Sequence, residues 1–422
     1  MRHADAHGHG KHEEHETLRQ GMRPLKALIP FEDARQMATD LVHPIVRKER
    51  VPLLDALRRV AAENVRSKIA VPLANRAAMD GYAVVARNTS RAGKTTPAVL
   101  RRIETLYADR VPRKRVTHRR CTEVATGSTL PPGADAVVRV EDTTRDGDRV
   151  EVFTRVRPGE NVSARGGDIR RGSIVVRAGD VLTPAKIGAL AAIGLGRVRC
   201  FGRPRVSILT TGDEVVPPGR HIRPGQVYDI NSNTIASVVR ENGGEPVLLG
   251  RVPDRPDALR AALGKALAHD LVVCSGGSSV GEKDIVVDVL RSMGDVLFHG
   301  IAVKPGKPTA LGRVDRTPVL GLPGYPTSCL SNAYVLLAPM LRRMARLPPA
   351  QAKIIEMPLA KRIVRATGRF EFHTVRIVRG QAVPAYKESS AITSMANADG
   401  YIEIPADVER IEKGETVRVV LY

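Results

Sequence analysis

Between about residues 203 and 345 the hydrophobic period of the chain switches back and forth, and this alternation constrains the fold more than any other feature. RVSILTTGDE reads as a buried strand running into a polar loop, NSNTIASVVRENGG as a helix with Asn and Ser near its start and glycines at its end, and PVLLGRV as another strand. DALRAALGKALAHD, DLVVCSGGSSVG, DIVVDVLRSMG and VLFHGIAV continue the pattern. Strands alternating with helices of about 10 to 15 residues predict right-handed βαβ units and an α/β fold with a mostly parallel sheet. In such sheets ligands bind beyond the carboxyl ends of the strands, so the functional loops are expected to follow the strands.

The flanks have other textures. VPLLDALRRVAAENV places Leu53, Leu54, Leu57, Val60 and Ala61 at helical spacing and predicts an amphipathic helix over residues 51–65. Short alternating segments broken by turn signals such as ARNTSRAGK and LPPGAD predict a β-rich module over 65–154. Residues 26–64 and 155–200 are expected to form a connecting domain, 201–346 the α/β domain, and 347–422 a small C-terminal β domain. Residues 1–25 hold five of the eleven histidines (His3, His7, His9, His12 and His15) in a polar setting without periodicity, and are expected to be a disordered tail.

Composition narrows the function classes. A chain of 422 residues is expected to be multidomain. No stretch reaches the roughly 18 apolar residues of a membrane span, and the start lacks the apolar core of a secretory signal, so a cytoplasmic protein without membrane contact is expected. The four cysteines, Cys121, Cys200, Cys274 and Cys329, form no C-x-x-C pair and read as reduced and structural. A formal charge of +21 attracts nucleic acid and small anions alike. Aromatics are only 3% of the chain and Trp is absent, which argues against a nucleic-acid platform.

Four strand-end elements carry candidate chemistry. SGGSSVGEKD, with Ser275, Gly276 and Gly277, has glycines that let backbone approach a phosphate; a tight structural turn is the alternative. VKPGKPTALG sets Lys304 and Lys307 on a stiff turn suited to an anion, and GLPGYPTSCLSN holds Pro323 and Pro326 before a helix whose Thr327 and Ser328 offer hydroxyls and free N–H groups. Asp213, Glu214, Asp254, Glu282 and Asp284 each follow a predicted strand. Carboxylates beside phosphate-binding loops suit Mg²⁺, whereas a lone Asp284 also reads as a helix cap.

AAMDGYAV, ATGSTLPPGADAVV, NVSARGGDI, ILTTGDEVV, SGGSSVGEKD, VKPGKPTALG and GLPGYPTSC together resemble the molybdopterin molybdenumtransferase family of MoeA and the gephyrin E-domain, from about residue 30 to the C-terminus. The resemblance implies a four-domain elongated subunit and a homodimer, with an active-site cleft where one subunit's α/β domain faces another's β-rich module. It implies that molybdate, or tungstate, is joined to adenylylated molybdopterin with release of AMP and assistance from Mg²⁺, the substrate being handed over by a molybdopterin adenylyltransferase. Asp80, Thr126 and Asp168 would then complete the cleft. Glu214, Asp254 and Asp284 would supply acidic and Mg²⁺-linked functions, while Lys304, Lys307, Pro323 and Pro326 shape the anion site.

There are departures from the family pattern. Tyr325 stands where Asn is common, Gly167 stands where Glu often precedes the aspartate, Ser278 replaces a frequent Val, and KESSAIT replaces a glycine-serine-rich turn. Two other functions remain open at the sequence level: molybdopterin adenylyltransferase, and a noncatalytic scaffold or nucleic-acid binder.

Overall fold

The computed structural model describes residues 28–276 and 284–422, and two compact units carry them. Glu49–Cys200 form one; the chain up to Lys48 and from Phe201 to Tyr422 forms the other. The histidine-rich tail, Gly277, Ser278 and Glu282 lie outside the described residues. No helix among the described residues is long and apolar enough to cross a membrane.

The first helix, α1 (Phe31–Leu41), belongs to the larger unit. The chain then enters the smaller one, whose main sheet has six strands: β1 (Gly81–Val84), β2 (Ala98–Leu106), β3 (Arg120–Val124), β4 (Ala136–Arg139), β5 (Thr143–Asp146) and β6 (Arg149–Val152). They lie in the order β4-β1-β3-β2-β6-β5, and only the β2–β3 pair is parallel. Tyr82, Val84, Leu100, Cys121, Val138, Val150 and Val152 fill one face, and alternate residues such as Arg101 and Arg149 point to solvent. This is the period-2 signature read from the sequence. Helix α2 (Pro184–Ala192) follows, capped by Thr183, whose hydroxyl accepts from Lys186 N.

The amphipathic helix expected over 51–65 does not form. Lys48–Pro52 is a strand paired with Arg197–Phe201, Leu53–Asp55 is a single 3-10 turn, and Val60 and Ala61 bridge to Val181 and Cys200. Arg58, at φ 58°, cannot belong to a right-handed helix. Leu54 is 94% exposed, while Ala56 and Ala61 pack with Leu182 and Leu190 and the buried Arg59 pairs with Glu49. Partners more than a hundred positions away override the local period here.

The larger unit holds the alternating segment as β7 (Arg205–Thr211), α3 (Asn231–Glu241), β8 (Glu245–Val252), α4 (Pro256–Ala266), β9 (Leu271–Ser275), α5 (Ile285–Met293), β10 (Asp295–His299), β11 (Val303–Lys304), β12 (Ala310–Val314), β13 (Thr317–Leu322), α6 (Pro326–Asn332) and α7 (Ala338–Met344). The central sheet runs β8-β7-β9-β13-β12-β10, with β8, β7, β9 and β13 parallel and β12 antiparallel to both its neighbours. Ile208, Val273 and Leu320 face α3 and α7, whereas Leu209, Val272 and Val319 face α4 and α5. A sheet covered on both faces explains why its strands read as unbroken apolar runs. Each fully buried Leu, Ile or Val there contributes roughly 1.5 to 3 kcal/mol.

The C-terminal β domain adds β14 (Ile354–Pro358), β15 (Phe370–Val378), β16 (Gln381–Pro384), β17 (Gly400–Ile404) and β18 (Thr416–Leu421). Its sheet runs β11-β15-β17-β18-β14, with β16 also on β15, so its edge strand comes from the central segment. Phe31 of α1 stacks on Phe370 at 4.9 Å and meets Phe372 edge-on at 5.3 Å.

Candidate active site

The four parallel strands end on one edge of the central sheet. Because β12 is antiparallel to β13 and Ala310 pairs with Gly321, the loop entering β12 lies on that edge too. Asp213 and Glu214 follow β7, Asp254 follows β8, Ser275 and Gly276 close β9, and Pro323 follows β13, while Lys304 and Lys307 precede β12. The chain leaves β7 toward β8 on one side and returns to β9 on the other, which is the switch point where such sheets hold ligands.

At that switch Gly276 has φ 95°, and a Cβ there would sit 2.3 Å from the Thr211 carbonyl oxygen. Only glycine allows so close an approach. Thr211 Oγ1 and Asp254 Oδ1 are buried without hydrogen-bond partners among the described residues. Burial pushes the Asp254 carboxyl above the usual carboxylate range, and the charges of Asp213 and Glu214 add to this, while the nearby Thr211 hydroxyl and Asp213 backbone oppose it only in part. Arg251 holds the β7 loop by donating to the Gly212 and Asp213 carbonyls at 3.2 and 3.3 Å.

Asn231, at the start of α3, donates through Nδ2 to Ser275 Oγ and to Gly324 O, both at 2.8 Å. It thereby ties the ends of β9 and β13 together, and its Oδ1 is buried without a partner among the described residues. Asp229 accepts from Ser232 N at 2.9 Å, from the Ser232 hydroxyl and from Thr210 Oγ1 at 3.1 Å, which fixes the entry to α3. Ser275 also contacts Cys329 Sγ at 3.6 Å. Burial pushes the thiols of Cys121, Cys274 and Cys329 up to about 12, so they stay protonated.

Asp284 acts as a helix cap: its Oδ1 accepts from Val287 N at 3.1 Å, and its Oδ2 lies 2.9 Å from His299 Nε2 at the end of β10. Lys304 is a paired cation, with Nζ 3.5 Å from Glu371 of β15 and 5.3 Å from the Tyr386 ring centroid. Burial pushes the Glu371 carboxyl up, but the His373 hydrogen bond and the charges of Lys304, His373 and Arg365 hold it below its ordinary value. Lys307 makes no ion pair among the described residues, and its carbonyl accepts from Ile301 and Thr309 N. The buried Asn332 fixes this turn by donating to Gly306 O at 2.9 Å and to Thr309 Oγ1 at 2.6 Å.

The β13 loop differs from expectation at one point. Pro326 opens α6, but Thr327 N donates to Ser389 O at 3.1 Å and its hydroxyl donates to Ala391 O at 2.9 Å. These groups are therefore committed to the KESSAIT segment rather than free for an anion. Ser328 is buried, and Tyr325 is 64% exposed.

In the smaller unit Asp80 and Thr126 meet. Thr126 donates to Asp80 Oδ1 through N at 2.6 Å and Oγ1 at 2.8 Å, and these bonds, the backbone one foremost, hold the exposed carboxyl below its usual range. Asp168 is exposed on the turn whose amides bond Val71 O. Thr211, Asp229, Asn231, Asn332 and Glu371 are functional candidates that sequence reasoning missed. Asp229 and Asn231 had a signal in the DINSN helix start, whereas Glu371 matters only through the pairing of β11 with β15.

Three family descriptions match consecutive stretches: "MoeA N-terminal region (domain I and II)" over residues 29–194, "Probable molybdopterin binding domain" over 207–343, and "MoeA C-terminal region (domain IV)" over 356–422. Molybdopterin molybdenumtransferase 2 of Mycobacterium tuberculosis is 33% identical, covering 87% of this chain and 94% of its own. Molybdopterin molybdenumtransferase of Haemophilus influenzae is 30% identical, covering 93% of this chain and 98% of its own. Two solved structures of the molybdopterin biosynthesis MoeA protein from Pyrococcus horikoshii align with TM-scores of 0.79 and 0.78, at 36% and 31% identity. Each alignment covers 94% of this chain, and they cover 99% and 100% of the other. The strand-end loops, the flanking β domains and these full-length likenesses agree: the chain belongs to the MoeA family of molybdopterin molybdenumtransferases.

Proposed function

We infer that this chain is a molybdopterin molybdenumtransferase of molybdenum cofactor biosynthesis, taking adenylylated molybdopterin and molybdate as substrates and releasing AMP. The observation that carries the reading is the convergence of Thr211, Asp254, Ser275 and Gly276 at the switch point of a molybdopterin-binding sheet.

A divalent cation fits this place. Asp254 Oδ1 is a buried oxygen without a partner among the described residues, and its carboxyl lies among like charges. The described residues contain no group of three His, Cys, Asp or Glu able to hold a metal. Mg²⁺ needs only one or two carboxylates and takes its other ligands from phosphate oxygens and water. Glu214 and Asp254 would hold it, and when bound it would offset charge developing on the phosphate oxygens as AMP leaves. Asp284 shares the edge and orients His299.

The chain's own groups do the rest. Gly276 lets the end of β9 pass against the Thr211 carbonyl, Asn231 keeps the β9 and β13 loops in register, and Lys307 attracts the anionic substrate. The protonated thiols fit a reaction without a covalent cysteine intermediate. Asp80, Thr126 and Asp168 are proposed to contribute to the same reaction, and the active form is proposed to be a homodimer.

The test supplies purified protein with adenylylated molybdopterin, Mg²⁺ and either molybdate or tungstate, and follows AMP release together with metal retained on the pterin. Oxyanion-dependent AMP release with metal incorporation is expected. ATP-dependent adenylylation of molybdopterin, without metal insertion, would replace this reading with the adenylyltransferase one.

A further inference from the structure

We propose that the β-rich sheet of the smaller unit carries a second anion site, distinct from the strand-end site, that takes a small compound bearing a chain of phosphates. The sheet holds a cavity of about 980 Å³ whose lining includes Arg87, Arg91, Arg101, Arg119, Arg149 and His118. Arg87 and Arg91 come from the connection between β1 and β2, Arg101 from β2, His118 and Arg119 from the turn before β3, and Arg149 from β6.

The walls are held in place by bonds that leave the guanidinium groups available. Arg101 N donates to Arg119 O at 2.8 Å, which sets those two residues side by side. Asn88 Nδ2 donates to Thr117 O at 3.3 Å, so its Oδ1 is the acceptor for His118 Nδ1 at 3.0 Å, which fixes the ring on the wall. Asp148 is the one carboxylate in the lining, and both its contacts, at 3.3 and 3.0 Å, are from Arg102. Arg149 pairs with Glu151 at 2.9 Å, but Arg87, Arg91, Arg101 and Arg119 make no ion pair among the described residues.

Several unpaired guanidinium groups around one concavity repel one another, and the fold gains nothing from facing them together. A guanidinium fork matches phosphate oxygens in pairs, so a ligand with several phosphates can satisfy several forks at once, whereas a single tetrahedral oxyanion cannot span them. The volume lies within the range of small-molecule sites. No Phe, Tyr or Trp lines the cavity, although platforms for single-stranded nucleic acid rely on stacking aromatics. Val99 and Pro97 supply an apolar patch at the same wall, against which a nucleobase could lie.

The test is calorimetric titration of the full-length protein, at physiological salt, with ATP, tripolyphosphate, orthophosphate and molybdate. The same titrations are run on Arg87→Ser/Arg91→Ser and Arg101→Ser/Arg119→Ser, all four positions being exposed. ATP and tripolyphosphate should bind one to one, with each double substitution weakening them about a hundredfold, or about tenfold per guanidinium. Tighter binding of ATP assigns a nucleotide, and equal binding assigns the phosphate chain alone. Orthophosphate and molybdate should bind at least about tenfold more weakly. Unchanged affinity in both variants, no saturation below about 1 mM, or displacement of ATP by single-stranded RNA with affinity rising with strand length would overturn the proposal. None of these arginines belongs to the strand-end loops, so the binding titrations are read separately from the turnover assay.

Discussion

Replacing Glu371 by Gln tests whether the loop carrying Lys304 is anchored by charge. Glu371 is 2% exposed and accepts from Arg365 Nε at 3.3 Å, with Lys304 Nζ at 3.5 Å and His373 Nδ1 at 3.1 Å. Gln keeps the volume but removes the negative charge, and breaking a buried pair commonly costs about 3 to 5 kcal/mol. The structure lowers that figure. Arg365 keeps its bonds to the carbonyls of Arg369, Pro405 and Val408, and Lys304 can turn toward water or the Tyr386 ring. A loss of about 2 to 3 kcal/mol is therefore expected.

Hydrogen exchange across Phe370–Val378 and Gly400–Ile404 should then accelerate about 30- to 160-fold, since each decade corresponds to about 1.4 kcal/mol. The pH dependence follows from the carboxyl being held below its ordinary value in the folded state. Its contribution is fully present above the unfolded value of about 4.3 and is lost as pH falls through the folded value. The gap between wild type and variant should be open at neutral pH and close in acid below about pH 4. An acceleration under about threefold at pH 7, or a gap that persists in acid, would refute the reasoning.

Three other outcomes are expected. Adding Mg²⁺ should raise the melting temperature of the wild type but not of Asp254→Asn, which loses the carboxylate's charge and also turnover; an equal shift in both would remove Asp254 from the cation site. Asp284→Asn should stay within about 0.5 kcal/mol of wild type, because Asn caps as well as Asp, while Asp284→Ala should cost about 1 kcal/mol in urea unfolding, with turnover lost in both. Asn231→Ala leaves Gly324 O without its donor and should cost about 1 to 3 kcal/mol while weakening substrate binding, and an unchanged KM would separate Asn231 from the site.

The alternating segment was legible because its signals are local. A strand buried on both faces must be apolar throughout, and glycines and carboxylates at its end mark a loop, as at Thr211–Glu214 and Ser275–Gly276. The helix read over 51–65 failed because its period was a coincidence of Leu53, Leu54 and Leu57 with no shared face in the fold, and partners near residue 190 claimed Ala56 and Ala61. The free N–H groups expected at Thr327 failed for a similar reason, since Ser389 and Ala391 bond them from sixty positions downstream. Thr211 gave no chemical signal of its own, as an orphaned oxygen is visible only once its neighbours are placed.

The stacking of Phe31 on Phe370 bears on how the chain is made. The aromatic rings that cover helix α1 are translated about 340 positions after it. At about 5 to 20 residues per second that is a wait of roughly 20 to 70 s. Residues 49–200 are contiguous and contain their own cores, so they can finish folding during this interval. Helix α1, with Phe31 uncovered, is then the part of the nascent chain most in need of a chaperone, and slowing translation should lengthen its exposure without affecting the segment that follows it.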